Sequence, residues 1–214
     1  MKKIKCLITA GPTREYFDPV RYISNPSTGK MGWAIAEASK EFGWDTTLVL
    51  GPSSLPDIDG VNVERVVSAD DMLCTCKKYF ADCDILIMSA AVSDVRPKNK
   101  IDHKAKKNEI DLNPQLERTP DILLTLSKEK GDKVLIGFAA ETQNVLDYAK
   151  GKLEQKNLDA IVANNVSTSA TGFASDDNKI DVILRSGEVI DYKKASKKEL
   201  AKLLIKFLSA KFFK

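Results

Sequence analysis

Histidine and cysteine are scarce in this sequence, and their scarcity argues against several common kinds of active site. The single histidine, His103, lies in a lysine-rich polar segment, which argues against a His-based triad or a multi-histidine metal site. Cys74, Cys76 and Cys83 have no histidine beside them, and their spacing matches no common zinc pattern. We interpret these three residues and Cys6 as reduced, mostly structural thiols.

Long apolar runs and a large excess of one charge are also missing. No run approaches the roughly 20 apolar residues of a membrane-spanning helix, and the first residues lack a signal-peptide pattern, so we expect a cytoplasmic protein. Lys and Arg number 33 against 30 Asp and Glu, and a net charge of +3 gives no reason to expect a nucleic-acid or membrane partner. The 43% of hydrophobic residues fits one globular domain, residues 1–214.

Short β-branched runs alternate with helical patterns along the chain. This alternation is typical of βαβ units and predicts an α/β fold, a Rossmann-like, mostly parallel sheet flanked by helices. The predicted strands are residues 4–9, 46–50, 61–66, 85–89, 134–137, 160–162 and 180–184. The predicted helices are residues 29–42, 69–79, 120–128, 145–156 and 194–213. The last helix has leucines at helical spacing, which fit a core-facing stripe or, alternatively, a dimer face.

A segment of small residues follows the first predicted strand. Residues 22–32 (YISNPSTGKMG) open the first predicted helix, and Ser27, Thr28, Gly29 and Gly32 are the candidate cradle for an anion. Small residues let backbone N–H groups approach a ligand, and a helix N-terminus attracts negative charge. The pattern is neither a P-loop nor G-x-G-x-x-G, so it predicts only a phosphorylated small molecule. A glycine-containing turn without a ligand is the alternative.

Residues 96–119 interrupt the alternation with a long polar excursion. The five lysines of this segment are Lys98, Lys100, Lys104, Lys106 and Lys107. Because it follows a buried strand whose carboxyl end is where open α/β sheets bind ligands, a lysine-bearing flap over a polyphosphate is one interpretation. A solvated charged loop is the other.

Two strand ends carry further candidates. Ala90 and Ala91 would let a flat ring or a sugar approach closely, and Asp94 could accept a hydrogen bond from a nucleotide or help to hold a metal. Phe138 could stack on a base. The alternatives are a turn or helix cap for Asp94 and core packing for Phe138.

Seven motifs taken together resemble one family, phosphopantothenoylcysteine synthetase, in an order that extends from residue 8 to about residue 178. They are ITAGPTRE (8–15), DPVRYISN (18–25), GKMG (29–32), AAVSD (90–94), TPDI (119–122), GFAAET (137–142) and KNLD (156–159). The decarboxylase domain that precedes this domain in many bacterial members is absent from the sequence, so the chain resembles the stand-alone bacterial form. The sequence departs from a common bacterial version at Pro26, Thr28 and Thr119, where that version has His, Ser and Asn.

The resemblance implies a ligase of coenzyme A biosynthesis that works as a homodimer. In that reaction 4′-phosphopantothenate attacks the α-phosphate of a nucleoside triphosphate, pyrophosphate leaves, and the amine of L-cysteine then displaces the nucleoside monophosphate. Magnesium would accompany the triphosphate, and the motifs favour CTP over ATP. A separate phosphopantothenoylcysteine decarboxylase is a possible partner. The resemblance identifies no metal ligands.

The resemblance also assigns roles to residues. Lys104 matches the family's catalytic lysine for acyl-nucleotide formation, and Asn25 matches the residue that uses this intermediate. The positions matched to substrate binding are Arg21, Asn25, Ser27, Thr28, Gly29, Gly32, Ala90 and Ala91. The positions matched to nucleotide binding are Ala90, Ala91, Asp94, Lys104, Thr119, Pro120, Asp121, Ile122, Phe138, Lys152 and Lys156.

Each of these roles has a plainer alternative. Asn25 could be a turn residue, Arg21 a member of a surface salt bridge, and Lys152 and Lys156 a solvated helix face. A non-catalytic nucleotide- or anion-binding protein with a Rossmann-like fold is the alternative function. A dinucleotide-dependent oxidoreductase is disfavoured because G-x-G-x-x-G does not follow the first strand.

Overall fold

A computed structural model describes residues 3–141, 145–165 and 177–213 of the chain. The strands are β1 (Lys5–Ala10), β2 (Arg14–Tyr16), β3 (Tyr22–Ser24), β4 (Asp45–Leu50), β5 (Asn62–Arg65), β6 (Ile85–Met88), β7 (Val95–Pro97), β8 (Leu116–Arg118), β9 (Val134–Glu141), β10 (Ala160–Asn165), β11 (Asp177–Leu184) and β12 (Val189–Ser196). The helices are α1 (Lys30–Glu41), α2 (Ala69–Phe80), α3 (Ile122–Ser127), α4 (Val145–Gln155) and α5 (Lys197–Phe212).

Eight strands form one sheet, in the order β12-β11-β10-β9-β6-β1-β4-β5. The six strands from β10 to β5 run parallel, while β11 and β12 are antiparallel additions at one edge. After β1 the chain builds outward through β4 and β5, then returns to place β6 on the other side of β1. The strand order therefore reverses between β1 and β6, and the predicted Rossmann-like fold is confirmed.

Alternate residues of the strands pack into two apolar cores, one on each face of the sheet. Ile8 of β1 belongs to a buried cluster with Ile35 of α1 and Leu204 of α5. Its neighbour Leu7 points the other way, into a cluster that includes residues of α2, α3 and α4. The run is apolar throughout because both faces are covered, as expected for a parallel sheet. We call the two sides the α1 face and the α3 face.

The structure differs from the predicted elements mainly at the carboxyl end. The helix predicted for residues 194–213 begins at Lys197, because β12 occupies the preceding residues and pairs with β11. Ser196 caps the helix, its hydroxyl accepting a hydrogen bond from the Glu199 N–H at 3.2 Å. Two short hairpins, β2 with β3 and β7 with β8, were not predicted. The second hairpin forms the stem of the flap.

The cysteines fit the structural role expected of them. All four thiols are free, and Cys6, Cys76 and Cys83 are buried while Cys74 is exposed. Burial raises the pKa of the Cys76 and Cys83 thiols to about 12, which keeps them protonated and unreactive near neutral pH. Within the described part of the chain, no helix is both long enough and apolar enough to cross a membrane.

Candidate functional site

A cleft of about 630 Å³ opens at the carboxyl edge of the parallel strands, beside the point where the strand order reverses. This is the position at which open α/β sheets bind ligands. Its lining combines the segment before α1, the residues after β6, the start of α3 and parts of β9, α4, β11 and α5. Fifteen positions matched to substrate or nucleotide binding line it, namely Asn25, Ser27, Thr28, Gly29, Gly32, Ala90, Ala91, Asp94, Thr119, Pro120, Asp121, Ile122, Phe138, Lys152 and Lys156.

The residues predicted to form an anion cradle lie at the N-terminus of α1. Gly29 precedes the helix with φ at +79°, a left-handed conformation that glycine adopts without strain, and as a glycine it offers no side-chain cap to the helix. A Cβ atom on Gly32 would lie 2.5 Å from the Ala10 Cβ atom, so glycine is needed for α1 to pack against the end of β1. Uncapped N–H groups at a helix N-terminus suit a phosphate or a carboxylate.

The Asn25 side chain joins two loops of the cleft. Its amide nitrogen donates hydrogen bonds to the carbonyl oxygens of Ala91 at 3.2 Å and Val92 at 3.0 Å. These bonds fix the orientation of the amide group and connect the segment after β3 to the segment after β6. Asn25 therefore has a structural task in this cleft, in addition to any chemistry that its amide group performs.

The α3 side of the cleft contains residues 119–122, Lys152 of α4 and Lys156, which directly follows α4. Asp121 caps α3 by accepting a hydrogen bond from the Leu124 N–H at 3.0 Å, and Lys156 lies 2.8 Å from the same carboxylate. Lys152, one helical turn before Lys156, also lines the cleft. The two lysines consequently face the cleft instead of forming only a solvated helix face.

The segments after β6 and before α3 are joined by Thr119. Its N–H donates to the Asp94 carbonyl at 3.1 Å, and its hydroxyl donates to the Ser93 carbonyl. Phe138 is half-buried, lines the cleft and packs against the cluster on the α1 face. The Glu141 side chain and Thr142, which complete the GFAAET motif, lie outside the described residues.

Two of the predicted site residues, Arg21 and Lys104, do not line this cleft. The Arg21 guanidinium forms an ion pair with the buried carboxylate of Asp18, which is the salt-bridge alternative, and also donates to the Ala105 carbonyl at 3.4 Å. Lys104 is exposed on the flap, next to Ala105. The structure thus brings most of the predicted site together and leaves these two cations at its margin.

Two buried polar residues of the cleft were not predicted from the sequence. Lys197, the first residue of α5, is 7% exposed, and Asn178 of β11 is 3% exposed. The Ser-Lys-Lys-Glu pattern from Ser196 to Glu199 is a helix-capping signature that could have located the start of α5 at Lys197. No comparable signal marks Asn178.

The charges of the cleft favour anionic ligands. Counting only the described residues, five lining side chains are cationic, against two carboxylates, Asp94 and Asp121. The cationic side chains are Lys30, Arg118, Lys152, Lys156 and Lys197. A concave surface with this excess of positive charge attracts polyanions such as nucleoside triphosphates. Among the residues that the structure describes, no group of three or more His, Cys, Asp or Glu side chains could hold a metal ion.

Comparisons with known proteins identify relatives of the chain. The chain is 46% identical over 182 residues to the coenzyme A biosynthesis bifunctional protein CoaBC of Bacillus subtilis (strain 168), an alignment that covers 85% of the chain and 45% of that protein. It is 44% identical over 187 residues to the CoaBC protein of Vibrio cholerae serotype O1, covering 86% of the chain and 47% of the relative. The chain thus spans about half the length of these curated relatives.

A solved structure extends the likeness to the fold. The crystal structure of the C-terminal domain of a CoaBC protein superposes with a TM-score of 0.84 at 41% identity, covering 98% of the chain and 96% of that domain. The family described as the DNA/pantothenate metabolism flavoprotein C-terminal domain matches residues 1–211. With nearly the whole chain matched, and a relative 46% identical over most of it, the chain belongs to this family and is homologous to the C-terminal domain of CoaBC.

Proposed function

We propose that the protein is a phosphopantothenate–cysteine ligase of coenzyme A biosynthesis. It would join 4′-phosphopantothenate and L-cysteine into 4′-phosphopantothenoylcysteine through an acyl-nucleotide, releasing pyrophosphate and a nucleoside monophosphate. The observation that carries the proposal is the cleft itself, which joins an anion cradle at the start of α1 to a lysine-bearing half beside α3 and α4. Homology to the C-terminal domain of CoaBC supplies the reaction class.

The two halves of the cleft suit two different anions. The uncapped N-terminus of α1 and Lys197 lie on the α1 face, where the phosphate of 4′-phosphopantothenate would bind. Lys152 and Lys156 lie on the other side, where they would contact the phosphates of the nucleotide. The pantothenate carboxylate and the α-phosphorus would then meet between the halves, near Asn25 and the loop after β6.

Acyl-nucleotide formation brings a carboxylate against a polyphosphate. The carboxylate oxygen forms a bond to the α-phosphorus, the bond from that phosphorus to the bridging oxygen breaks, and pyrophosphate leaves with both electrons. Cations are needed because three negatively charged groups gather as the transition state forms. In this proposal Lys104 approaches from the flap to supply one of these charges.

Magnesium fits the proposal as a companion of the triphosphate. Mg²⁺ typically binds through one or two carboxylates together with substrate phosphates, so it does not need the cluster of protein ligands that the described residues lack. Asp94, an exposed carboxylate of the cleft, would be the protein ligand. When bound, the ion would neutralise charge on the phosphate oxygens.

The second step forms the amide. The amine of L-cysteine attacks the acyl carbon, the bond from that carbon to the nucleotide oxygen breaks, and the nucleoside monophosphate leaves. Asn25 would lie beside the reacting carbonyl group without adding charge. Because its amide nitrogen donates to the loop after β6, its Oδ1 atom would accept a hydrogen bond from the attacking amine. The cysteine ammonium group must lose one proton to solvent before it attacks, and the nitrogen loses a second proton, to solvent or to the leaving phosphate, as the amide forms.

CTP is the proposed nucleotide, and ATP is the less favoured one. The homodimer is also part of the proposal, as is a phosphopantothenoylcysteine decarboxylase that would use the product. A non-catalytic nucleotide- or anion-binding protein is the second candidate function. One observation favours it, because Arg21 and Lys104 lie outside the cleft.

Pyrophosphate release by the pure protein separates these functions. The assay contains Mg²⁺, 4′-phosphopantothenate, cysteine and either CTP or ATP, and each component is omitted in turn. A ligase releases pyrophosphate only when 4′-phosphopantothenate is present, and the faster triphosphate identifies the nucleotide. Nucleotide binding without any pyrophosphate release would instead support the binding protein.

A further inference from the structure

A buried carboxylate, Asp18, lies in the turn between β2 and β3 and is 2% exposed. Its Oδ1 atom accepts hydrogen bonds from the N–H groups of Val20 and Arg21, both at 2.8 Å. Its Oδ2 atom accepts a hydrogen bond from the Arg21 guanidinium. These contacts alone would make Asp18 a local turn residue that holds the hairpin together.

Further contacts join this turn to the flap. The Ala105 N–H donates to Asp18 Oδ2 at 3.4 Å, and Arg21 donates to the Ala105 carbonyl at 3.4 Å. The Ile101 N–H donates to the Phe17 carbonyl at 2.8 Å. Ala105 is 4% exposed, although most of the flap around it is exposed. Residues 101–105 are therefore docked on the β2–β3 turn.

The docking connects the two segments that carry the predicted catalytic residues, the flap with Lys104 and the β2–β3 hairpin with Asn25. Lys104 immediately precedes Ala105, whose two backbone polar groups are both held by the Asp18–Arg21 pair. Asn25 directly follows β3, the second strand of the same hairpin. A carboxylate that is 87 residues away from Ala105 in sequence thus connects the flap to the segment that carries Asn25.

The Asp18 carboxylate is charged throughout the physiological pH range. Burial by itself would raise its pKa, but the N–H groups of Val20 and Arg21, the Arg21 guanidinium and the Ala105 N–H lower the pKa to about 2. Charged acceptors form stronger hydrogen bonds than neutral ones. An amide in the same place would lose the ion pair and one of the two acceptors.

We infer that Asp18 is a positioning residue for Lys104 in acyl-nucleotide formation, with Arg21 as the second member of the same contact. The inference rests on the proposed ligase function. Asp18 touches neither substrate nor nucleotide in this account. It acts by holding Ala105, and hence the backbone of Lys104, at the hairpin that carries Asn25.

A double-mutant cycle tests the inference, with Asp18→Asn, Lys104→Ala and the double variant compared for pyrophosphate release at saturating substrates. Misplacing a catalytic group by about 1 Å costs about 100-fold, so Asp18→Asn should slow release by ~10- to 100-fold. If Asp18 acts through Lys104, the double variant should be within about twofold of Lys104→Ala alone. Fold-changes that multiply would overturn the inference, and so would an unchanged Asp18→Asn rate.

A second readout follows the flap without using catalysis. Trypsin cleaves after lysine, and the flap carries five lysines, so loss of docking should increase the cleavage rate within residues 98–107 by several-fold in Asp18→Asn. Glu188→Gln is the matched control, because it also removes a carboxylate from an ion pair, with Lys211 at 3.0 Å, in the turn between β11 and β12. An unchanged flap cleavage rate in Asp18→Asn would contradict the docking role.

An unfolded variant and an inactive wild-type protein have different consequences for the inference. If Asp18→Asn does not fold, Arg21→Gln replaces it in the cycle with Lys104→Ala, and the same loss of additivity is expected. If the wild-type protein releases no pyrophosphate with either triphosphate, the proposed function fails, and with it the catalytic part of the inference. If the wild-type protein is an active ligase but the effects of Asp18→Asn and Lys104→Ala are additive, the inference is refuted and the proposed function stands.

Discussion

Gly32 lies where α1 meets the ends of β1 and β6, and a Gly32→Ala change tests how closely the cradle is fixed. A Cβ atom there would lie 2.3 Å from Ser89 Oγ and 2.5 Å from Ala10 Cβ. Ser89 could rotate only by giving up the hydrogen bond that its hydroxyl donates to the Thr9 carbonyl at 2.6 Å. The Ala10 methyl group is fixed by its backbone. Ordinary contact begins near 3.4 Å, so α1 must withdraw by about 1 Å.

This displacement has a cost in stability and a cost in binding. Overpacking of this kind costs about 1–3 kcal/mol, so the free energy of unfolding measured by urea titration should fall by that amount. A shift of about 1 Å in a binding group costs up to ~100-fold in rate. We therefore expect kcat/KM for 4′-phosphopantothenate to fall by ~10- to 100-fold, with the larger part of the change in KM.

A matched control separates the effect of displacing the cradle from the general effect of replacing a helical glycine with alanine. Apart from the backbone of α4 itself, no described atom lies within 4 Å of a Cβ position on Gly151, in the interior of α4. Alanine is favoured over glycine inside a helix by about 0.5–1 kcal/mol, so Gly151→Ala should stabilise the protein and leave kcat/KM unchanged. Wild-type stability and wild-type kcat/KM in Gly32→Ala would refute the reasoning.

Three further changes test other parts of the site. Lys197→Met should raise KM for 4′-phosphopantothenate by about tenfold, because one charge-assisted hydrogen bond is lost. It should change KM for the nucleotide by less than about twofold, because Lys197 lies on the α1 face. Equal changes in the two KM values would contradict that placement. The pKa of Asp18 is lower in the folded protein, so its contribution to stability is complete above the unfolded pKa of about 3.9 and is lost as the pH falls through about 2. Urea titrations from about pH 6 to about pH 2.5 should accordingly show the free-energy gap between wild type and Asp18→Asn narrowing below about pH 4, and a constant gap would argue against the ionised contact. Asn25→Asp should release pyrophosphate but accumulate acyl-nucleotide, as detected by mass spectrometry, because a carboxylate next to the reacting carbonyl opposes the negative charge of the second step. Normal amide formation by this variant would remove Asn25 from that role.

Local patterns were enough to predict the fold. Runs such as residues 4–9 are apolar at every position because the sheet is covered on both faces, and the helices between them show the 3.6-residue period. Besides the two short hairpins, the prediction missed β12, an exposed edge strand that follows a hairpin turn. Its lysines and its small terminal residues resemble the beginning of a helix, and only pairing with β11 shows that it is a strand.

The candidate site was partly predictable. The cradle around Gly29 could be found because its small residues follow the first strand, and the strand order then places them at the cleft. Lys197 could not, since lysine is almost always exposed and its burial depends on the tertiary packing of α5. The contact between Asp18 and Ala105 joins residues that are 87 positions apart and follows no sequence period.

The transfer of oxygen during the reaction tests the central claim most directly. The protein is incubated with Mg²⁺, CTP, cysteine and 4′-phosphopantothenate that carries ¹⁸O in both carboxylate oxygens, and the products are analysed by mass spectrometry. An acyl-cytidylate route breaks the bond from the acyl carbon to the bridging oxygen, so the CMP formed must contain one ¹⁸O atom and the pyrophosphate none. Amide product with unlabelled CMP would contradict the acyl-nucleotide route, and absence of the amide product would contradict the ligase.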